Sequence, residues 1–398
     1  MFVIEPAARM NGLPPYLFLE LDRLAQAERQ KGFDVINLGI GDPDLPTPEH
    51  IVRAAQDAVA RAANHRYPDY LGGERFRQAV AGWYGRRFGV DLDWRTEVVG
   101  LLGSKEGIAH MIWAMAGPGD VVLVPDPAYP VYHSQAVLAG AEPVAVPLRP
   151  ERGFLPDWDA IDEATWRRAK MLWLNYPNNP TGASWSLEDA REAVDRCRHY
   201  DVLLCHDNAY AEMTFDGYRA PSVLEVPGAK EIAVEFYSWS KPFNMTGWRV
   251  AAAVGSSVAI GALGRMKSHL DSGVFTAIQE AAMVALADRP DDVFRRMNAI
   301  YARRRDAVLP ILERGGLEVP KPKATFYLWF RAPAGMTSAE AAKFFLTEAH
   351  TVVTPGRAYG EEGEGWLRIA LTESEERLVE AAGRMAGALA ARNASLAE

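Results

Sequence analysis

Met171-Leu-Trp-Leu174-Asn-Tyr-Pro177-Asn178-Asn179-Pro180-Thr181-Gly182 is a short apolar run that breaks at once into Asn, Pro and Gly. An unbroken apolar run of this length reads as a strand buried on both faces, and the turn residues end it. The pattern recurs along the chain. Val121–Val124 lies before it, and Val202–Cys205, Glu235–Tyr237 and Val250–Val254 follow. Between these runs lie helical periods such as Ile108, Met111, Ile112 and Met115. Strands alternating with helices predict an α/β fold whose mostly parallel sheet is covered by helices. From about 280 to 315 the spacing is helical, with a break expected near Pro290. Beyond 316, the short strands Phe326–Phe330 and Trp366–Ala370 mix with helices as a smaller α+β domain. Upstream, the spacing predicts a helix from Leu17 to Lys31 with Leu17, Leu21 and Leu24 on one face. A strand Val35–Leu38 follows, assignable to the smaller domain. The division expected is therefore 1–45 as an arm plus part of the smaller domain, 46–285 as the large domain, and 286–398 as the small C-terminal domain.

Composition narrows the function classes. The 398 residues carry 43 Lys and Arg against 52 Asp and Glu, a net charge of −9. A net acidic chain gives no electrostatic footprint for nucleic acid. Its 48% apolar content supports a large core rather than disorder. Two cysteines, Cys197 and Cys205, exclude a disulfide framework and a Cys-rich metal site. No apolar stretch approaches the roughly 18 residues of a membrane span. Met1-Phe-Val-Ile-Glu-Pro6 lacks a basic region followed by an apolar one, so a soluble cytoplasmic protein is expected.

Four motifs sit where strands end or a helix begins. Ser238-Trp-Ser240-Lys241-Pro-Phe-Asn-Met-Thr246-Gly-Trp-Arg249 closes one strand with two hydroxyls, a Lys and, after a turn, an Arg. Pro177 to Gly182 follows another, and taken alone is a good turn sequence. Asp207-Asn-Ala-Tyr210 follows a third, where a carboxylate is often only a helix cap. Gly103-Ser104-Lys105-Glu106-Gly107 opens a helix, where backbone N–H groups and the dipole suit a phosphate, or where Ser104 simply caps. Open α/β sheets place ligands at these strand ends. Together the residues make the set that pyridoxal 5'-phosphate chemistry requires. Lys241 supplies the amine for the aldehyde. Asp207 holds a proton on the pyridine nitrogen. Asn179 and Tyr210 donate to the ring's phenolate oxygen. Ser104, Ser238, Ser240 and Arg249 receive the phosphate, with Lys105 beside them. Tyr129, in Asp126-Pro-Ala-Tyr129-Pro-Val-Tyr132, stacks on the ring.

With these residues the chain resembles the class I/II aminotransferases of fold type I, from about residue 14 to 375. Within that family it is most similar to the bacterial LL-diaminopimelate branch. The segments that carry this are Leu13-Pro-Pro-Tyr16-Leu-Phe-Leu-Glu-Leu-Asp, Leu38-Gly-Ile-Gly41-Asp-Pro-Asp, Asn64-His-Arg-Tyr67-Pro-Asp-Tyr70, Gly103 to Gly107 and Ser238 to Arg249. The resemblance implies a homodimer with a shared active site, in which Tyr67 reaches the phosphate of the neighbouring subunit. It implies that Tyr16 and Gly41 line the substrate pocket with Tyr129 and Asn179. It also implies that Arg368 forks the α-carboxylate, for which a guanidinium is suited. Lys105 is the candidate for a distal carboxylate. The activity implied is amino transfer between LL-2,6-diaminopimelate, or tetrahydrodipicolinate in reverse, and 2-oxoglutarate or glutamate, in lysine biosynthesis. Two departures stand out: Trp239 replaces a smaller apolar residue, and Tyr70 stands where plant-type enzymes carry a Glu that grips the distal ammonium.

The alternatives fare less well. Gly39-x-Gly41 runs into Asp42-Pro43 without a third Gly or a helix, so it is not a dinucleotide motif. Eight scattered His show no HExxH or paired spacing. A sensor built on this fold would need a DNA-binding module, and about 40 residues precede the large domain. An aspartate, alanine or aromatic aminotransferase, or a C–S lyase, shares Arg368 and remains the runner-up.

Overall fold

The computed structural model describes residues 4–13 and 17–397. Twelve strands occur among them: β1 Ile36–Asn37, β2 Val98–Leu101, β3 Val121–Asp126, β4 Glu142–Pro147, β5 Ala169–Leu174, β6 Leu203–Asp207, β7 Ala233–Ser238, β8 Ala251–Gly255, β9 Tyr327–Arg331, β10 Thr351–Val352, β11 Thr354–Pro355 and β12 Trp366–Ala370. Seven form the central sheet in the order β2-β8-β7-β6-β5-β3-β4. Its pairs from β7 across to β4 are parallel, while β8 runs antiparallel to both β7 and β2. The carboxyl ends of β2, β3, β5, β6 and β7 therefore meet along one edge.

Alternation explains why these strands read as unbroken apolar runs. Leu172 and Leu174 of β5 face one buried cluster with Leu204, Tyr237 and Val254. Met171 and Trp173 face the other with Cys205, Phe236 and Ala253. Both faces are dry from Met171 to Leu174, so that run is apolar, and the strand's polar residue, Lys170, is exposed near its start. A third cluster joins Ile36 and Leu38 to Phe326, Leu328, Leu367, Ile369 and the C-terminal helix residues Leu378 and Met385. It covers the three-stranded sheet β11-β12-β9, which is antiparallel throughout. Beside it, β1 pairs in parallel with β10. The large parallel layer and the smaller α+β layer expected from sequence are both present.

The expected break near Pro290 is present: the helical stretch after 275 stops at Asp288 and Arg289, and Pro290 opens the next helix at its first turn, where its missing N–H costs nothing. Other details depart from expectation. The first long helix runs Leu17–Gln30, and it buries Ala25 and Glu28 while Leu24 is exposed. Strands β2, β4, β10 and β11 escaped the sequence reading. Trp239, flanked by two hydroxyls, turns away from the strand edge into the core. It packs on Phe76 and Tyr237, and its Nε1 donates to the Ala282 carbonyl at 3.0 Å. Trp239→Ala removes that packing and the indole hydrogen bond. Its expected cost is about 3–5 kcal/mol, read from the urea midpoint; a loss under 1 kcal/mol would refute the assignment.

Candidate active site

The carboxyl edge of the sheet opens into a cavity of about 580 Å³. Lining it are Gly41, Ser104, Lys105, Tyr129, Asn179, Asp207, Tyr210, Ser238, Ser240, Lys241, Arg249 and Arg368. These residues lie as far apart in sequence as 41 and 368; the central sheet's edge gathers most of them, and β12 of the small layer brings Arg368. Tyr16 lies outside the described residues. Tyr67 is elsewhere: it is 87% exposed, in a shallow recess with His65, Arg66 and Phe275. Tyr70 is also exposed.

Asp207 is the last residue of β6, and no helix begins behind it, so it is not a cap. Its Oδ2 accepts from Tyr132 Oη at 2.7 Å, while Oδ1 is buried without a partner. Burial pushes its pKa up, against the Tyr132 bond and the His206 and Lys241 charges that lower it. A proton or cation facing Oδ1 would remove that penalty. The adjoining loop is fixed by Asn175, whose Nδ2 donates to the Asp207 carbonyl at 2.6 Å and whose Oδ1 accepts from Asn179 N–H at 2.8 Å. Within the turn, Asn178 does the local work, accepting from Thr181 N–H and Oγ1. Asn179 is thereby released to face the cavity.

On the opposite wall, the helix Ser104–Met115 points its N-terminus at the cavity. Gly103 holds the cap position, and Ser104 Oγ is buried with no hydrogen bond, so Ser104 does not cap its own helix. Gly103 has φ +85°, and a Cβ there would strike the Arg249 guanidinium. Ser238, Ser240 and Arg249 come from the end of β7 and the loop behind it. That loop is pinned by Thr47 Oγ1, which donates to the Asn244 carbonyl at 2.7 Å. Bare N–H groups, hydroxyls and a guanidinium at a helix start form an anion receptor.

Lys241 Nζ donates to the Gly41 carbonyl at 2.7 Å. Burial lowers its pKa to about 8; Asp42 raises it, and Arg368 and Arg249 lower it further. Arg368 projects from β12 and is buried. Its Nη1 donates to Asn179 Oδ1 at 2.9 Å, its Nη2 to the Gly39 carbonyl at 2.6 Å, and its Nε has no partner. The guanidinium lies 4.2 Å from the ring of Tyr327 and 5.0 Å from that of Tyr359. Tyr327 Oη is 2.9 Å from Tyr210 Oη, and a Cβ at Gly41 would collide with that phenol. Tyr132, Asn175, Tyr327 and Tyr359 were not assigned from sequence. Tyr132 and Asn175 lie within or beside quoted motifs, whereas Tyr327 and Tyr359 come from the small layer and carry no local signal.

The chain's relatives fit this geometry. The family model for aminotransferase class I and II matches residues 34–385. The LL-diaminopimelate aminotransferase of Nitratidesulfovibrio vulgaris is 52% identical over 387 residues, 97% of this chain and all of that protein. The enzyme of the same name from Aquifex aeolicus is 50% identical over 96% of this chain and 99% of its own length. Among solved structures, substrate-bound BacF from Bacillus subtilis superposes with a TM-score of 0.93 at 37% identity, over 97% of this chain and 98% of that one.

The lowered Lys241 pKa gives a direct expectation for the cofactor-free chain. The neutral amine is present above about pH 8 rather than above 10.5. Acylation of Lys241, followed by peptide mass mapping, is therefore expected to reach half its limiting rate near pH 8. A profile still rising tenfold per unit between pH 9 and 10 would contradict the burial argument.

Proposed function

The chain belongs to the class I and II aminotransferases, and we propose that it moves an amino group between LL-2,6-diaminopimelate, or tetrahydrodipicolinate in reverse, and 2-oxoglutarate or glutamate in lysine biosynthesis. The observation that carries this is identity of 50% or more, over nearly whole chains, to enzymes named for that substrate. The proteins of this family use pyridoxal phosphate, which supplies an aldehyde for the amino group and a ring that accepts electrons. The residues present fit it. Asp207 Oδ1, an acceptor, and Ser104 Oγ, a hydroxyl, are buried and left unmet by the protein itself, and both residues line one cavity.

The roles follow from that fit. Asp207 would hold the ring nitrogen, Tyr129 would cover the ring, and Asn179 and Tyr210 would hold its phenolate oxygen. Ser104, Ser238, Ser240, Arg249 and the backbone at Lys105 take the phosphate. Lys241 would hold the group through its amine, and the same amine is placed to carry a proton to and from the substrate Cα. A pKa near 8 suits both duties, since the amine must gain and lose a proton near neutral pH. Arg368 binds the α-carboxylate, Gly41 and Tyr16 line the pocket, and Lys105 receives the distal carboxylate. In our reading the large domain spans about 46–285, and 1–45 with 286–398 make the arm and smaller domain of a cytoplasmic enzyme.

The substrate is tested with a donor panel of LL- and meso-diaminopimelate, aspartate, alanine, phenylalanine and cystathionine, each against 2-oxoglutarate. The LL isomer should give the highest kcat/KM. Lys105→Ala should reduce turnover of it more than that of alanine, which has no distal carboxylate. Aspartate ahead by tenfold, about 1.4 kcal/mol of transition-state preference, or pyruvate release from cystathionine, would overturn the reading.

The working unit in this proposal is a homodimer whose shared site Tyr67 completes. Its support is the exposure of Tyr67 and Tyr70 on one chain, away from that chain's own cavity. Sedimentation at assay concentration should give the dimer mass, and a fully active monomer would refute it.

A further inference from the structure

Asp126 ends β3 three residues before Tyr129, and nothing in the chemistry above uses it. Its carboxylate leaves the large layer and meets a loop of the small one. Oδ2 accepts from Glu361 N–H at 3.0 Å, and Oδ1 from Glu362 N–H at 3.1 Å. Two residues on, Ala128 N–H donates to the Tyr359 carbonyl at 2.8 Å. Three hydrogen bonds from one three-residue stretch thus hold the segment 359–362.

The loop is shaped for this carboxylate. Gly360 has φ +137°, a conformation that residues with a Cβ rarely adopt, and a Cβ there would collide with the Asp126 carboxylate. Gly363 is needed for a different close approach, since a Cβ there would collide with the Gly356 carbonyl within the same loop. Beyond the clasp, Tyr359 lines the cavity and stands 5.0 Å from the Arg368 guanidinium. The same β3 end carries Tyr129 into the cavity from the other side. One short stretch therefore sets the separation between the aromatic wall on the large layer and the aromatic wall behind the carboxylate receptor.

We propose that Asp126 is a positioning residue for substrate carboxylate binding, acting through Tyr359 on Arg368. The bonds are charge-assisted and directed at two successive amides, so they fix the loop's orientation as well as its distance. The effect falls on binding. Arg368 grips a carboxylate that is present throughout turnover, so loosening its wall weakens ground state and transition state alike and raises KM with kcat unchanged. The inference rests on Arg368 as the carboxylate receptor, whatever the substrate's distal end.

The test uses the holoenzyme with the best donor found for the wild type and with 2-oxoglutarate. Asp126→Asn places an NH2 group against one of the two amides. KM for both substrates should rise five- to twentyfold, with kcat within threefold and the cofactor's visible absorbance unchanged. Tyr359→Leu should raise KM as well, and the double variant should add less than twofold to it. Gly360→Ala disturbs the same clasp from the other side and should repeat the KM effect, which keeps the test open if Asp126→Asn does not fold. Unchanged KM in the folded variants, a loss confined to kcat or melting temperature, or multiplicative effects in the double variant would each overturn the proposal. If Arg368→Lys leaves both KM values unchanged, the failure belongs to the receptor assignment instead.

Discussion

Burying a carboxylate costs several kcal/mol unless its lone pairs are met, and Asp207 meets that condition only in part. Tyr132 satisfies one oxygen and nothing in the protein satisfies the other. A group that violates the rule this plainly at the end of a central strand has a partner still to come. The surroundings are arranged to keep it in place until then. β6 is hydrogen-bonded on both sides, Asn175 holds the Asp207 carbonyl, and Tyr132 is itself stacked on Trp173. The bare oxygen belongs to the lining of the cavity that Ser104 and Lys241 also line.

Parallel pairing is what makes this economical. Strands that run the same way deliver their carboxyl ends, and the loops behind them, to one edge. Asn179, Asp207 and Lys241 arrive there behind β5, β6 and β7. The small layer contributes Arg368 and Tyr327 from two antiparallel partners, β12 and β9, in direct register with Trp329 and Ala370 respectively. The crossing segment at 38–41 ties the layers: Ala370 N–H donates to Leu38 and Thr372 Oγ1 to Ile40, while Lys241 and Arg368 donate to Gly41 and Gly39.

Legibility in the sequence followed burial. β5, β6 and β7 are dry on both faces, so their runs are continuous and the turn residues behind them stand out. β4 is the sheet's edge; its burial alternates weakly and two prolines sit in it, so Glu142–Pro147 offers no apolar run. β2 contains Gly100 and pairs only with β8, more than 150 residues on. The two-residue strands β10 and β11 owe their existence to partners rather than to composition. The same distinction separates the site residues. Those on strand ends could be assigned from the chemistry of adjacent types, and the whole ordered set pointed to one cofactor. Tyr327 and Tyr359 could not, because an aromatic in an apolar strand or loop reads as core until the fold puts a guanidinium beside it.

The cations of the cavity differ in their partners from most of the buried cations elsewhere. Arg87 is paired with Glu212, Arg304 with Asp44, Arg305 with Asp216, and Lys267 with Glu106 and Asp271, whereas Arg77 donates to the carbonyls of Gly72, Trp94 and Arg95. Lys267 also fills the space among Glu106, His110 and Asp271, the one group of these residues that has metal-ligand spacing among the described residues. In the cavity, Lys241, Arg249 and Arg368 donate instead to the carbonyls of Gly41, Thr246 and Gly39 and the amide oxygen of Asn179. Neutral acceptors orient a cation without cancelling its charge. A carboxylate in the same place would have stabilised the empty protein and consumed the field that an anionic ligand needs. The cost is carried by the fold, through the burial that lowers the Lys241 pKa, to which Arg368 and Arg249 add repulsion, and through the unpaired Nε of Arg368. Carbonyl partners leave the field of these cations open to anions, which is the condition that the phosphate and carboxylate roles proposed for this cavity require.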